Sequence, residues 1–318
     1  MSELEKVIDR VKGRIQPKSL ERELIAKDYQ KIFRNAIQIH FQGDIEGAIE
    51  AYKAVVVINP TFKEAWYALG IAYKSKGMEF KPDFQDTWYS LGNTLYKNGD
   101  IEGAIDAYKK AVEIKSGFEN AWNSLGFALH KKGDMEGAVN AYREALVINP
   151  KDELAWINLG LAMDALNQSH DALTAFREAL LINPTNHKVW ANIGLIYEEM
   201  GEHEEAVKSY RKAVEIKPDF YDAWNALGLA VHDVGHVDEA IQHYTRATEL
   251  EPSYYYAFYN LGIGYQDLGN FERAILSFKK AIEIEPKFKD GWLHLGDALH
   301  SRGMVDEAVN ALKKAFEM

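Results

Sequence analysis

Histidines are the first residues to test for chemistry, because imidazole is the commonest protein ligand of a metal and the usual acid or base near neutral pH. His40, His130, His232 and His300 occupy the same late place on the first helices of repeating units, but in units that are mostly not neighbours, so they cannot converge on one ion. His232 and His236 are four apart and straddle Gly235 at a turn. No fixed carboxylate pattern accompanies them as further ligands, and the chain has no cysteine. That absence removes disulfides and thiol nucleophiles at the same time. Glu198 and Glu199 read as a solvated helix end rather than an acid–base pair, and no glycine-rich phosphate loop is present. The expectation is a protein that is not an enzyme, with no catalytic residue, no metal and no cofactor.

Charge narrows the partners. The formal net charge of −11 opposes binding to a phosphate backbone, which needs clustered Lys and Arg. It opposes anionic membrane surfaces for the same reason. No apolar run approaches the roughly 20 residues that span a bilayer, and Met1 to Ile15 alternates charged with apolar residues instead of forming a leader core. A cytoplasmic protein is expected, with no nucleic acid and no membrane partner.

The elements that position these residues are repeats. Trp88, Trp122, Trp156, Trp190 and Trp224 are 34 residues apart; Phe258 and Trp292 hold the next two places. Each opens the same pattern, as in WYSLG, WNSLG and WINLG. Twelve residues after each glycine stands an alanine: Ala104, Ala138, Ala172, Ala206, Ala240, Ala274 and Ala308. An aromatic follows four residues later in all but the last unit, and Pro150, Pro184, Pro218, Pro252 and Pro286 close most units. Within a unit the apolar residues fall twice at helical spacing, with Gly133-Asp134 as one example of the turn between. Each unit is therefore two amphipathic helices. Gly126 and Ala138 are small where the helices approach, and Trp122, Leu125 and Tyr142 fill the contact.

This pattern closely resembles the tetratricopeptide repeat (TPR) over Tyr29 to Met318. The resemblance implies an all-α solenoid of αα-hairpins stacked into a right-handed superhelix, lined inside by the first helices and serving as a scaffold that binds a protein or peptide on its concave face. Side chains after the glycines are then expected inside: Asn93, Phe127, Leu161, Leu195, Leu229 and Ile263. Asn158, Asn192 and Asn260, with Asn123 and Asn225 one place earlier, resemble the asparagine ladder that holds peptide backbone in the TPR superhelix of the O-linked N-acetylglucosamine transferase; an amide both donates and accepts. Tyr67, Tyr89 and Tyr96 at one end, and Tyr256 and Tyr259 at the other, add contact area. A clamp for a terminal carboxylate is not expected. Lys74, Lys97, Lys131 and Lys188 do not fall at matching places in adjacent units, and Asp86, Asp222 and Asp290 stand where a base would help.

Three segments follow. Residues 1–28 read as an N-terminal helix, with Leu4, Val7, Ile8, Val11 and Ile15 on one stripe, and the start of a long helix; 29–84 as a degenerate repeat plus a truncated one; 85–318 as seven regular units. Trp66 and Trp88 are only 22 residues apart, so the second helix of that unit is missing. The face of Trp66, Leu69 and Tyr73 then needs another cover: the next first helix, the N-terminal helix, or a second chain by domain swapping. The sequence stops at Met318 without a polar sealing helix, so Leu312 and Phe316 are expected to be uncovered. The alternative function is accordingly a self-assembling structural protein, a homo-oligomer joined through the truncated repeat 63–84 or the C-terminal helix.

Overall fold

A computed structural model describes residues 29–59, 62–75, 85–97 and 99–318. The expected N-terminal helix lies outside the described residues. Among the described residues all regular structure is helical, in seventeen helices that divide between two compact units, 1–166 and 167–318. The first unit holds α1 (Tyr29–Phe41), α2 (Ile45–Ile58), α3 (Lys63–Ser75), α4 (Gln85–Lys97), α5 (Ile101–Ile114), α6 (Glu119–Lys132), α7 (Met135–Ile148) and α8 (Glu153–Ala165). The second holds α9 (Ser169–Ile182), α10 (His187–Glu199), α11 (His203–Ile216), α12 (Tyr221–Asp233), α13 (Val237–Leu250), α14 (Tyr255–Asp267), α15 (Phe271–Ile284), α16 (Lys289–Ser301) and α17 (Val305–Phe316).

Local signals start and stop these helices. Gly133 takes φ of 91°, a left-handed conformation that closes α6, and Asp134 then caps α7 by accepting the Gly137 N–H at 2.9 Å. Asp44 and Asp100 repeat the device at α2 and α5. Asn167 holds the equivalent glycine place with φ of 57°, which asparagine tolerates better than most residues.

Within a hairpin the glycine of the first helix meets the aromatic of the second. A Cβ added at Gly126 would lie 2.6 Å from the Tyr142 ring, and at Gly194 2.7 Å from that of Tyr210. The rings of Tyr142, Phe176, Tyr244 and Phe278 are fully buried, which is why leucine-glycine and alanine-aromatic recur at fixed spacing. The tryptophans add a junction bond as well as bulk. The Trp156 Nε1–H donates to the Pro150 carbonyl at 2.9 Å, and Trp122, Trp190, Trp224 and Trp292 each bond the carbonyl six residues back in the same way.

At the truncated repeat the face of α3 is not free. Trp66, Leu69 and Tyr73 are buried in a core shared with Tyr52 and Val55 of α2, Leu91 of α4 and Ala107 of α5, with Trp88 and Leu95 packed against it. The next first helix, α4, packs on α3, and Trp88 approaches Gly70 at the 3.8 Å a Cβ there would keep. These three residues are therefore core, which corrects the expectation of a self-association face. The same core holds residues from both the 29–84 and the 85–318 segments, so α1–α5 share one interior.

Candidate functional site

In the first unit the first helices α4, α6 and α8 carry their exposed side chains into one groove. A pocket of about 710 Å³ is lined by Tyr89, Asn93 and Tyr96 of α4, Asn123 and Phe127 of α6, and Asn158 of α8. Six sequence-expected residues thus meet at one place. Phe127 is 43% exposed, and its ring lies 5.5 Å from that of Tyr96. Tyr89 stands 5.0 Å from Phe118, which precedes α6. Leu161, on α8, is half-buried.

The amides there are not equivalent. The Tyr108 hydroxyl, held well above its ordinary pKa by burial, donates to Asn93 Oδ1 at 2.8 Å. The Asn123 amide donates to Asp152 at 2.5 Å, while its carbonyl oxygen is buried without a partner. Asn158 makes no side-chain hydrogen bond among the described residues, so its amide is free to meet a peptide group. Residues that sequence reasoning passed over also line the pocket: Glu119, Asn149, Lys151, Asp152, Glu153 and Leu154. They sit at the junctions between units and in the first turns. Their only sequence signal is a place seven to two residues before a tryptophan.

A second, apolar pocket of about 650 Å³ lies in the same unit, bounded by α1, α3 and α4 through Phe33, Ile37, Phe41, Ala68, Ile71 and Leu95. At its edge His40 Nδ1 lies 3.3 Å from the Tyr52 hydroxyl. Tyr67 belongs to α3, but its side chain lies outside the described residues.

In the second unit Leu195 is 45% exposed on α10, and Asn192 beside it is partly exposed with no side-chain hydrogen bond among the described residues. Two expectations change here. Asn225 is only 6% exposed and accepts from the Asn260 amide at 2.9 Å, so this pair bonds itself and has less to offer a peptide. Leu229 and Ile263 are partly buried against the cores of their own helices rather than fully displayed. Tyr256 is exposed and stacked on Tyr255 at 4.1 Å, and Tyr259 meets Phe288 at 4.9 Å and His294 at 5.4 Å. The tyrosine group on α14 is a continuous aromatic patch.

At α17, Leu312 fills the place of the repeat aromatic, and a Cβ at Gly296 would meet its Cδ2 at 2.7 Å. It is half-buried, whereas Phe316 is 76% exposed. Only the second is uncovered as expected.

A family model described as TPR repeat matches residues 40–77, 92–133, 128–167 and 232–269. Others described as tetratricopeptide repeat match 187–220 and 255–288, 153–186, and 290–318. Among curated proteins none matches. Among solved structures, one described as MamA is 30% identical, covers 51% of this chain and 95% of its own, and superposes with a TM-score of 0.50. YrrB, described as a TPR protein with an unusual peptide-binding site, is 25% identical over 63% of this chain and 99% of its own, at a TM-score of 0.51. The C-terminal part of a TPR repeat-containing protein from Cytophaga hutchinsonii is 16% identical over 72% of this chain and 98% of its own; its TM-score of 0.64 speaks for the fold alone.

Proposed function

The chain belongs to the tetratricopeptide repeat family, and on that premise we propose that it is a protein-interaction scaffold that holds an extended segment of another protein on the face of its first helices, without catalysing a reaction on it. The observation that carries this reading is the groove of α4, α6 and α8, where the side chains of Tyr96, Phe127 and Asn158 meet around about 710 Å³ of open volume. Packing of the hairpin does not require them. The repeat fixes the tryptophan, leucine, glycine and alanine places, and these side chains stand at others. Aromatic and aliphatic side chains beside the free amide of Asn158 supply what an extended peptide needs, namely apolar contact and sequence-independent pairing of its backbone. The peptide-binding site ascribed to YrrB supports the same reading for this chain.

The test replaces exposed groove residues without touching the core. Phe127→Asp and Leu154→Asp are expected to abolish capture of peptide ligands while leaving far-ultraviolet circular dichroism and the melting temperature near those of the unmodified chain. An equal loss of helicity would show that both residues serve packing, and the reading would fail.

A second reading, self-assembly, no longer draws on the truncated repeat, whose face is core. It rests on α17, where Val305, Val309 and Phe316 are exposed on one stripe. Light scattering decides it: a Phe316→Glu variant that turns an oligomer into a monomer supports assembly, and a monomeric unmodified chain removes it.

A further inference from the structure

The two pockets of the first unit share α4 as a wall and differ in chemistry. The pocket between α1, α3 and α4 is lined almost wholly by apolar atoms of Ile37, Ile71, Leu95 and their neighbours. The pocket between α4, α6 and α8 carries three acids, Glu119, Asp152 and Glu153, against one base, Lys151. Three of its donors are spent internally. The Asn123 amide goes to Asp152, the Asn149 amide goes to Glu119 at 2.8 Å, and the Tyr108 hydroxyl goes to Asn93. The carboxylates and the ring faces of Tyr96 and Phe127, tilted by 44° at 5.5 Å, stand beside the open volume together with the amide of Asn158.

An excess of carboxylates and two aromatic faces around an open volume suit a cation that brings its own N–H donors. From this we infer that the segment bound by the first unit is basic: a Lys or Arg side chain enters the pocket of α4, α6 and α8, and an aliphatic side chain beside it enters the pocket of α1, α3 and α4. This deepens the binding reading above and rests on it. The same charges work against an acidic or phosphorylated segment, whose anionic groups would face Glu119, Asp152 and Glu153 with Lys151 as the sole base of that pocket. At long range the chain's net charge of −11 steers a basic partner inward and repels an acidic one.

A random dodecapeptide library displayed on phage, panned against the full chain, tests this directly. Retained sequences are expected to be enriched in Lys and Arg with an aliphatic residue nearby, and to be re-synthesised with fluorescein for titration. The triple variant Glu119→Gln, Asp152→Asn, Glu153→Gln keeps the acceptors that bond Asn149 and cap α8, and it is expected to weaken these peptides about tenfold or more, since hydrogen bonds to charged groups are among the strong ones. Ile71→Asp is expected to weaken them separately. Should the triple variant lose helicity, the unmodified chain decides alone: affinity falls severalfold between about 0.05 and 0.5 M NaCl if the contact is ionic.

Retained peptides without basic enrichment overturn the inference while leaving the scaffold reading intact. So do basic peptides that bind the intact triple variant, or high salt, equally well. A library from which nothing is retained overturns both.

Discussion

Gly70 and Gly126 hold the same place in their repeats, yet the substitution of alanine at each is expected to act with opposite sign. At Gly126 a Cβ would lie 2.6, 2.8 and 2.9 Å from three ring atoms of Tyr142, closer than carbon atoms pack, and that ring is fully buried and cannot swing aside. Overpacking of this kind costs about 1–3 kcal/mol. Alanine in place of glycine inside a helix returns about 1 kcal/mol. The net effect of Gly126→Ala is a destabilisation of up to about 2 kcal/mol. At Gly70, among the described residues, no second helix of its own unit supplies an aromatic, and the nearest atom to a Cβ is Trp88 Cη2 at 3.8 Å, an ordinary contact. Only the helix-propensity gain is left, so Gly70→Ala is expected to stabilise by about 1 kcal/mol. Thermal and urea unfolding followed by circular dichroism reads both, at about 2–4 °C per kcal/mol for units of this size. Because stacked repeats depart from two-state unfolding, the sign of the shift carries more weight than its extrapolated energy. A Gly70→Ala variant as damaged as Gly126→Ala would refute the placement of α3 against α4 and mean that a helix closes over Gly70 as in the other units. Two neutral variants would refute the tight glycine–ring contact.

Other expectations follow from single contacts. Trp156→Phe keeps the ring and loses the Nε1–H bond to the Pro150 carbonyl, so urea unfolding is expected to shift by about 1 kcal/mol; an unchanged midpoint would make the junction bond incidental. The Glu198 carboxyl is held above its ordinary value of 4.5, chiefly by burial, with the Tyr210 hydroxyl bond at 2.8 Å pulling it part of the way back. A carboxyl raised in the folded state contributes stability that is fully present below the unfolded value and lost as pH rises through the folded one. Glu198→Gln keeps an acceptor for Tyr210, so it is expected to melt higher than the unmodified chain at neutral pH, with the gap closing below about pH 4.5. A gap that is constant across that range would dissociate the effect from titration.

Two residues at one place in the repeat show how far the sequence reads the site. Asn123 and Asn225 both follow a tryptophan, and both read as rungs of an amide ladder. Asn123 is turned to Asp152 across the inter-helix groove, while Asn225 is buried against Asn260. Which partner an amide finds depends on what the next first helix brings, here an aspartate cap in one unit and an asparagine in another. The acids of the candidate pocket were illegible for a related reason. Glu119, Asp152 and Glu153 stand at helix starts, where acids are common for their favourable interaction with the helix dipole, and nothing in the pattern separates an acid serving that purpose from one that also lines a cavity.

What the sequence determined by itself is the repeating unit: two helices of fixed length, a glycine facing an aromatic in most units, and a tryptophan at most junctions. These are short-range matters of spacing and side-chain volume, repeated often enough that chance is excluded. Tertiary structure decided which faces those units leave open. The missing second helix after α3 was plain from the count of residues between Trp66 and Trp88, but what covers Trp66, Leu69 and Tyr73 was not, because three coverings satisfied the same apolar pattern. The structure places α4 there, since a buried apolar face is satisfied by any neighbour of the right shape and only three-dimensional packing names which one.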